Sequence, residues 1–134
     1  MSTNTTAQAG QVFTWPVRVY WEDTDGGGVV YHARYLNFFE RARTELLRAQ
    51  GIDQTRLKEE QGFIWVVTEM NVKFRKAAKL DDELVVSADF RWMKGVRQGF
   101  RQEITRKENG ELVASAEVTA VMLHAESLKP ARMP

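Results

Sequence analysis

The 134-residue chain has no cysteine and only two histidines, His32 and His124, which lie far apart in sequence. The first absence removes disulfide frameworks and thiolate chemistry, and is compatible with a reducing compartment. The second leaves no familiar ligand spacing, so a histidine metal centre would have to recruit carboxylates. No apolar run approaches the roughly 18 residues that a membrane-crossing helix needs, and a chain that does not span a membrane is expected. Charge of one sign is missing too: 19 basic against 18 acidic side chains leave a net +1, which gives no electrostatic reason to expect nucleic acid as a partner. Residues 1–10 are polar and lack the basic-then-apolar order of a signal peptide, so a loose tail is expected there. There is no internal repeat and no low-complexity segment.

What is present is 43% hydrophobic content, enough apolar material for one compact core. The reading is a single domain over residues 11–128, followed by a short tail over 129–134. Strand signals open the domain: Phe13, Trp15, Val17, Val19 and Trp21 alternate with mostly polar positions between Val12 and Glu22, the period of a strand with one buried face. Pro16 offers no N–H and points to an edge strand or a bulge. A helix follows from Ala33 to Gln50. Its apolar positions Tyr35, Phe39, Ala42, Leu46 and Ala49 recur at alternating spacings of four and three, and Gly51 is its expected stop. Residues 52–62 suit a short helical connection.

Four more strands are expected. Residues 64–75 set Val66, Thr68, Met70, Val72 and Phe74 on one face; residues 84–92 do so with Leu84, Val86, Ala88, Phe90 and Trp92. Residues 95–107 give the weakest signal, and Asn109-Gly110 marks a hairpin turn into 111–123. One long helix with five mostly antiparallel strands is an α+β domain, a sheet wrapped around a central helix. Such a sheet leaves edges uncovered, and pairing of copies is the expected remedy.

The chemistry-bearing stretch lies between the first strand and the helix: Glu22-Asp23-Thr24-Asp25-Gly26-Gly27-Gly28-Val29-Val30-Tyr31-His32. Glycines let backbone amides approach a ligand, and a helix start carries N–H groups without intrahelical partners, with partial positive charge. A carboxylate beside such donors has the parts for base or nucleophile chemistry on a carbonyl. A carboxylate ahead of a helix also serves commonly as a plain cap. On the helix, Glu40 and Arg43 are spaced to pair as ions on neighbouring turns, and Glu40 is a rival candidate for the catalytic acid.

These residues carry a family resemblance. Trp15-Pro16-Val17-Arg18-Val19-Tyr20, the acidic glycine stretch, Tyr35, the run Phe39-Glu40-Arg41-Ala42-Arg43-Thr44-Glu45 and Leu128-Lys129-Pro130 resemble the hotdog-fold acyl-CoA thioesterases of the 4-hydroxybenzoyl-CoA thioesterase group. More narrowly they resemble its YbgC-like branch, encoded with the Tol-Pal system. The resemblance implies a hotdog fold and hydrolysis of an acyl-CoA to free acid and coenzyme A. It puts the catalytic carboxylate on Asp25 and gives the backbone N–H of His32 to the thioester carbonyl. Gly27, Gly28, Val29 and Tyr31 become substrate-facing, with a loop-ordering role for Asp23. The basic residues Arg91, Lys94 and Arg97, at a turn between strands, correspond to the region that meets the nucleotide end of coenzyme A, and an ordinary solvated hairpin is the alternative reading.

It further implies no metal or bound cofactor beyond the coenzyme A of the substrate, a homodimer or homotetramer with shared sites, and an acyl carrier protein as a candidate partner. The implied location is the cytoplasm, with peripheral contact to the inner membrane as a variant. A non-catalytic acyl-carrier or envelope-biogenesis module and an enoyl-CoA hydratase are the alternative functions.

Overall fold

The computed structural model describes residues 12–132. Its elements are β1 (Phe13–Arg18), α1 (His32–Ala49), β2 (Phe63–Phe74), β3 (Glu83–Lys94), β4 (Arg97–Arg106) and β5 (Leu112–His124), with a short helical connection through Gln54–Arg56 and Leu57–Gln61 between α1 and β2. The strands form one antiparallel sheet in the order β1-β3-β4-β5-β2. This is the hotdog arrangement, with α1 laid on one face. The expected 1–10 tail lies outside the described residues. At the other end, Pro130 bridges to Leu123 and Ala131 is buried, donating its N–H to Met122.

α1 forms because its apolar stripe matches the helical period and has a sheet to cover. Phe38, Phe39 and Ala42 are fully buried, and each such phenylalanine contributes about 1.5–3 kcal/mol by leaving water. Opposite them stand Leu84, Val86, Ile104 and the small residues Ala114 and Ala116 of β5, which let the helix sit close. Gly51 ends the helix at φ +85 with its N–H on Arg48 and the Ile52 N–H on Leu47, a left-handed stop of the kind glycine favours. In the connection, Asp53 accepts the Thr55 N–H at 2.9 Å and caps the next turn.

Several sequence expectations are corrected. Trp15 is 37% exposed and Trp21 79% exposed: β1 is an edge strand that stops at Arg18, so Trp21 falls in the turn beyond it, outside any alternation. Pro16 does sit on that edge. In β2 the register shifts between Val67 and Glu69, so Thr68 is the extra residue of a bulge and the inward set changes phase. Trp65, then Met70 and Val72, pack on the core, rather than Val66 and Thr68. A second shift between Phe90 and Trp92 makes Arg91 a bulge residue and leaves Phe90 and Trp92 half-exposed. β4 looked weak because two of its inward positions are Gln98 and Gln102, both buried. Gln102 is satisfied by donating to the Phe39 and Ser87 carbonyls and accepting from Arg43.

Candidate active site

After β1 the chain stays tied to the start of β3 through Val19, whose N–H reaches the Asp82 carbonyl while its own carbonyl accepts the Asp81 N–H. It then turns through Trp21–Asp23 and buries Asp23, which is 2% exposed. Asp23 Oδ2 accepts the Tyr20 N–H at 2.8 Å, its main-chain carbonyl accepts the Tyr31 N–H at 2.9 Å, and Oδ1 lies 3.8 Å from Arg34 Nε. One residue therefore joins the entry of the loop to its exit beside the helix. A buried carboxylate of this kind is costly without such partners.

Two residues on, Asp25 is exposed. Its Oδ1 accepts the Gly27 N–H at 2.7 Å, its N–H donates to the Val29 carbonyl at 2.9 Å, and its carbonyl accepts the Gly28 N–H at 3.2 Å. The turn is tight: Gly28 has φ +83, and a Cβ on Gly27 would lie 3.3 Å from Asp25 Oδ1. Among the described residues no donor meets Oδ2. The loop closes on a crossing segment between β2 and β3, where the Val30 N–H reaches the Ala78 carbonyl at 2.8 Å and Val29 bridges to Lys79.

α1 begins at His32 behind an extended Tyr31 that provides no side-chain cap. The His32 and Ala33 amides therefore occupy helix positions for which the helix itself supplies no acceptor, at the positive end of its dipole. The His32 ring packs on Tyr31 at 4.5 Å and meets Phe74 edge-on at 6.4 Å. Chemically the arrangement is an exposed carboxylate with one oxygen oriented, followed within a few residues by free amides suited to an electron-rich oxygen.

The basic residues of the other expectation sit elsewhere. Lys94 and Arg97 flank the β3–β4 turn, and Arg91 pairs with Asp89 at 2.9 Å. Beside them the Trp92 ring lies against Gly99, leaving no room for a Cβ there. The acidic loop is fastened to the start of β3 and this turn is the far end of that strand; its twelve residues make eleven steps of about 3.3 Å, roughly 36 Å. A single chain does not bring them together. Glu40 and Arg43 also depart from expectation: Arg43 hydrogen-bonds Gln102 at 2.9 Å rather than ion-pairing with Glu40. Burial pushes the Arg43 guanidinium below its usual pKa, and the charge of Glu40 partly offsets this. Both line a cavity of about 240 Å³ with Leu47, Trp65, Val67 and Phe100, beside the outer edge of β2.

Two supports of the site were not visible in the sequence. Tyr35 is buried and its hydroxyl accepts the Ala78 N–H at 3.0 Å, and Arg34 reaches back to the Glu22 carbonyl. In sequence Tyr35 belongs to the helical stripe and to the family resemblance, but the partner of its hydroxyl is distant in sequence and no local signal marks it. Among the described residues no three His, Asp or Glu side chains are grouped to hold a metal ion.

Residues 19–134 match the family model described as the thioesterase-like superfamily. The chain is 46% identical to an acyl-CoA thioesterase YbgC of Haemophilus influenzae, over 91% of this chain and 88% of that protein. It is 45% identical to an acyl-CoA thioester hydrolase YbgC of Escherichia coli, over 92% and 90%. Among solved structures, a probable thioesterase from Bartonella henselae superposes with a TM-score of 0.86 at 36% identity, covering 92% of this chain and 99% of that one. The chain belongs to the thioesterase-like superfamily, in its YbgC-like branch.

Proposed function

We propose that this protein hydrolyses an acyl-CoA thioester to a free acid and coenzyme A, with Asp25 as the catalytic carboxylate. The observation that carries the reading is the exposed Asp25, oriented by the Gly27 amide in a loop that ends at the start of α1. Water attacks the thioester carbonyl while Asp25 takes its proton. The developing oxyanion is met by the His32 amide, and the C–S bond then breaks with loss of the thiolate. The same carboxylate could act as nucleophile, forming a mixed anhydride that water then opens. Acyl-CoA as the substrate follows from the activity named for relatives at this identity.

The working unit is proposed to be a pair of copies, alone or doubled into a tetramer. β2 is a twelve-residue edge strand, and two such edges can pair antiparallel about a two-fold axis. That pairing sets the start of one β2 beside the end of the other. It carries the Lys94–Arg97 turn of one copy toward the Asp25 loop of its partner, which supports a role for Arg91, Lys94 and Arg97 on the nucleotide of coenzyme A. Gly27, Gly28, Val29 and Tyr31 line the approach to the carboxylate. No helix of the described residues is long and apolar enough to cross a membrane. On the family resemblance alone we place the reaction in the cytoplasm, where an acyl carrier protein would present the same type of thioester.

A panel of acyl-CoA substrates assayed by thiol release tests the reading, with product analysis on saturated and unsaturated thioesters. Release of thiol from saturated substrates is the expected result. Hydration of an enoyl-CoA without thiol release, or capture of an acylated partner without turnover, would overturn it.

A further inference from the structure

The acidic loop takes its second wall from the segment linking β2 to β3. Through that wall it depends on a side chain near the end of β4 that no part of the mechanism above uses. Arg106 is 16% exposed in its side chain, and its guanidinium points in three directions at once. Nη2 donates to the Ala77 carbonyl, Nη1 donates to Asp82 Oδ2, and Nε donates to Glu111 Oε1 at 2.9 Å. The bond to Glu111, with the charge of Asp82, raises the pKa of a group that is already always protonated, so the clamp stays charged at any working pH.

Ala77 and Asp82 are the two sides of the wall. Between them Ala78, fully buried, gives its carbonyl to the Val30 N–H and its own N–H to the Tyr35 hydroxyl. Lys79 bridges to Val29 and donates its N–H to the same Asp82 oxygen that Arg106 holds. The segment also contains Asp81 at φ +70, a left-handed conformation that is uncommon outside glycine, though less so for aspartate, and that its surroundings hold. The surroundings here are the Asp81 and Asp82 bonds to Val19 and the Arg106 fork.

We propose that Arg106 is a positioning residue for the thioester site: it fixes the Ala77–Asp82 wall, and the wall fixes Val30 and hence the placement of Asp25 relative to the first amides of α1. The inference rests on the proposed thioesterase reading only for the activity it would alter. Three acceptors in different directions need the planar fork of arginine. A lysine ammonium keeps the charge but cannot reach all three in that geometry.

The test compares Arg106→Lys and Asp82→Asn with the unaltered protein and with Arg48→Ala, which removes an exposed ion pair to Glu45 on the helix surface. Two readouts are taken: steady-state thiol release, and amide hydrogen exchange resolved at Val30 and at the α1 interior around Ala42. For Arg106→Lys the expected result is a kcat about tenfold lower, KM changed less than about threefold, and faster exchange at Val30 with unchanged protection at Ala42. Asp82→Asn, which keeps the shape of its partner, should shift both readouts the same way but less, and Arg48→Ala neither. Wild-type exchange at Val30, or a loss of protection spread evenly to Ala42, would overturn the proposal. An unaltered protein without thiol release would refute the thioesterase reading alone, because the exchange comparison decides the role of Arg106 by itself.

Discussion

At the end of the sheet where β1 stops and β3 starts, three charged side chains are bonded to backbone. Asp23 holds Tyr20, Asp82 holds Lys79 and Arg106 holds Ala77. At the opposite end, Lys94 and Arg97 stand exposed around a turn, and Arg91 has a single ion pair to Asp89. The same contrast appears within one loop, between buried Asp23 and exposed Asp25 two residues later. A charge with several backbone partners costs much to disturb and sets geometry, whereas a charge left toward solvent is free to meet a ligand. The proposed function uses both kinds, one to place a carboxylate accurately and one to hold a nucleotide loosely.

Substitutions on either side of this division should fail in different ways. Asp25→Asn is expected to have the largest effect. It keeps shape and fold but removes the base, so kcat should fall by roughly 10²–10⁴ with unchanged circular dichroism and substrate binding. Near-normal turnover would move the chemistry elsewhere. Gly28→Val comes next. At φ +83 there is open space for the side chain, so the cost is backbone strain of about 1–3 kcal/mol, and thermal unfolding should show that loss together with a kcat reduced about tenfold or more. Asp23→Asn places an NH₂ toward Arg34 in a buried site and should cost about 1–3 kcal/mol of stability, with activity falling as the loop loosens; a larger drop in kcat than for Asp25→Asn would exchange the two roles. Smallest is the combined Arg91→Ala, Lys94→Ala and Arg97→Ala change. At the lower half of the range of about 0.2–1 kcal/mol for an exposed charge, the three together should raise KM by roughly threefold to tenfold while kcat holds, and a fall in kcat alone would contradict ligand contact at that end.

Much of this contrast was legible in the sequence on one side only. The acidic glycine stretch and α1 could be read because their signals are local: glycines, a carboxylate and a helical period lie within thirty residues of one another. Strand number followed from alternation, and the missing N–H of Pro16 marked an edge strand or a bulge, of which the structure has the edge. The bulges at Thr68 and Arg91 could not be read, since one extra residue shifts phase without any compositional mark. Nor could the wall behind the loop. Ala78, Tyr35 and Arg106 come from three separate elements, and only the folded sheet shows that they meet. Gln98 and Gln102 weakened the β4 signal for a related reason, because their partners, Trp65 on β2 and Phe39 on α1, lie on other elements.

The proposed site is completed between copies, since one chain keeps the Asp25 loop and the Lys94–Arg97 turn at opposite ends of β3. Sedimentation across a dilution series, with thiol release measured at the same protein concentrations, tests this most directly. The prediction is a dimer or larger at assay concentrations, with specific activity falling in step with the monomer fraction as the protein is diluted. A monomer that retains full specific activity would contradict it.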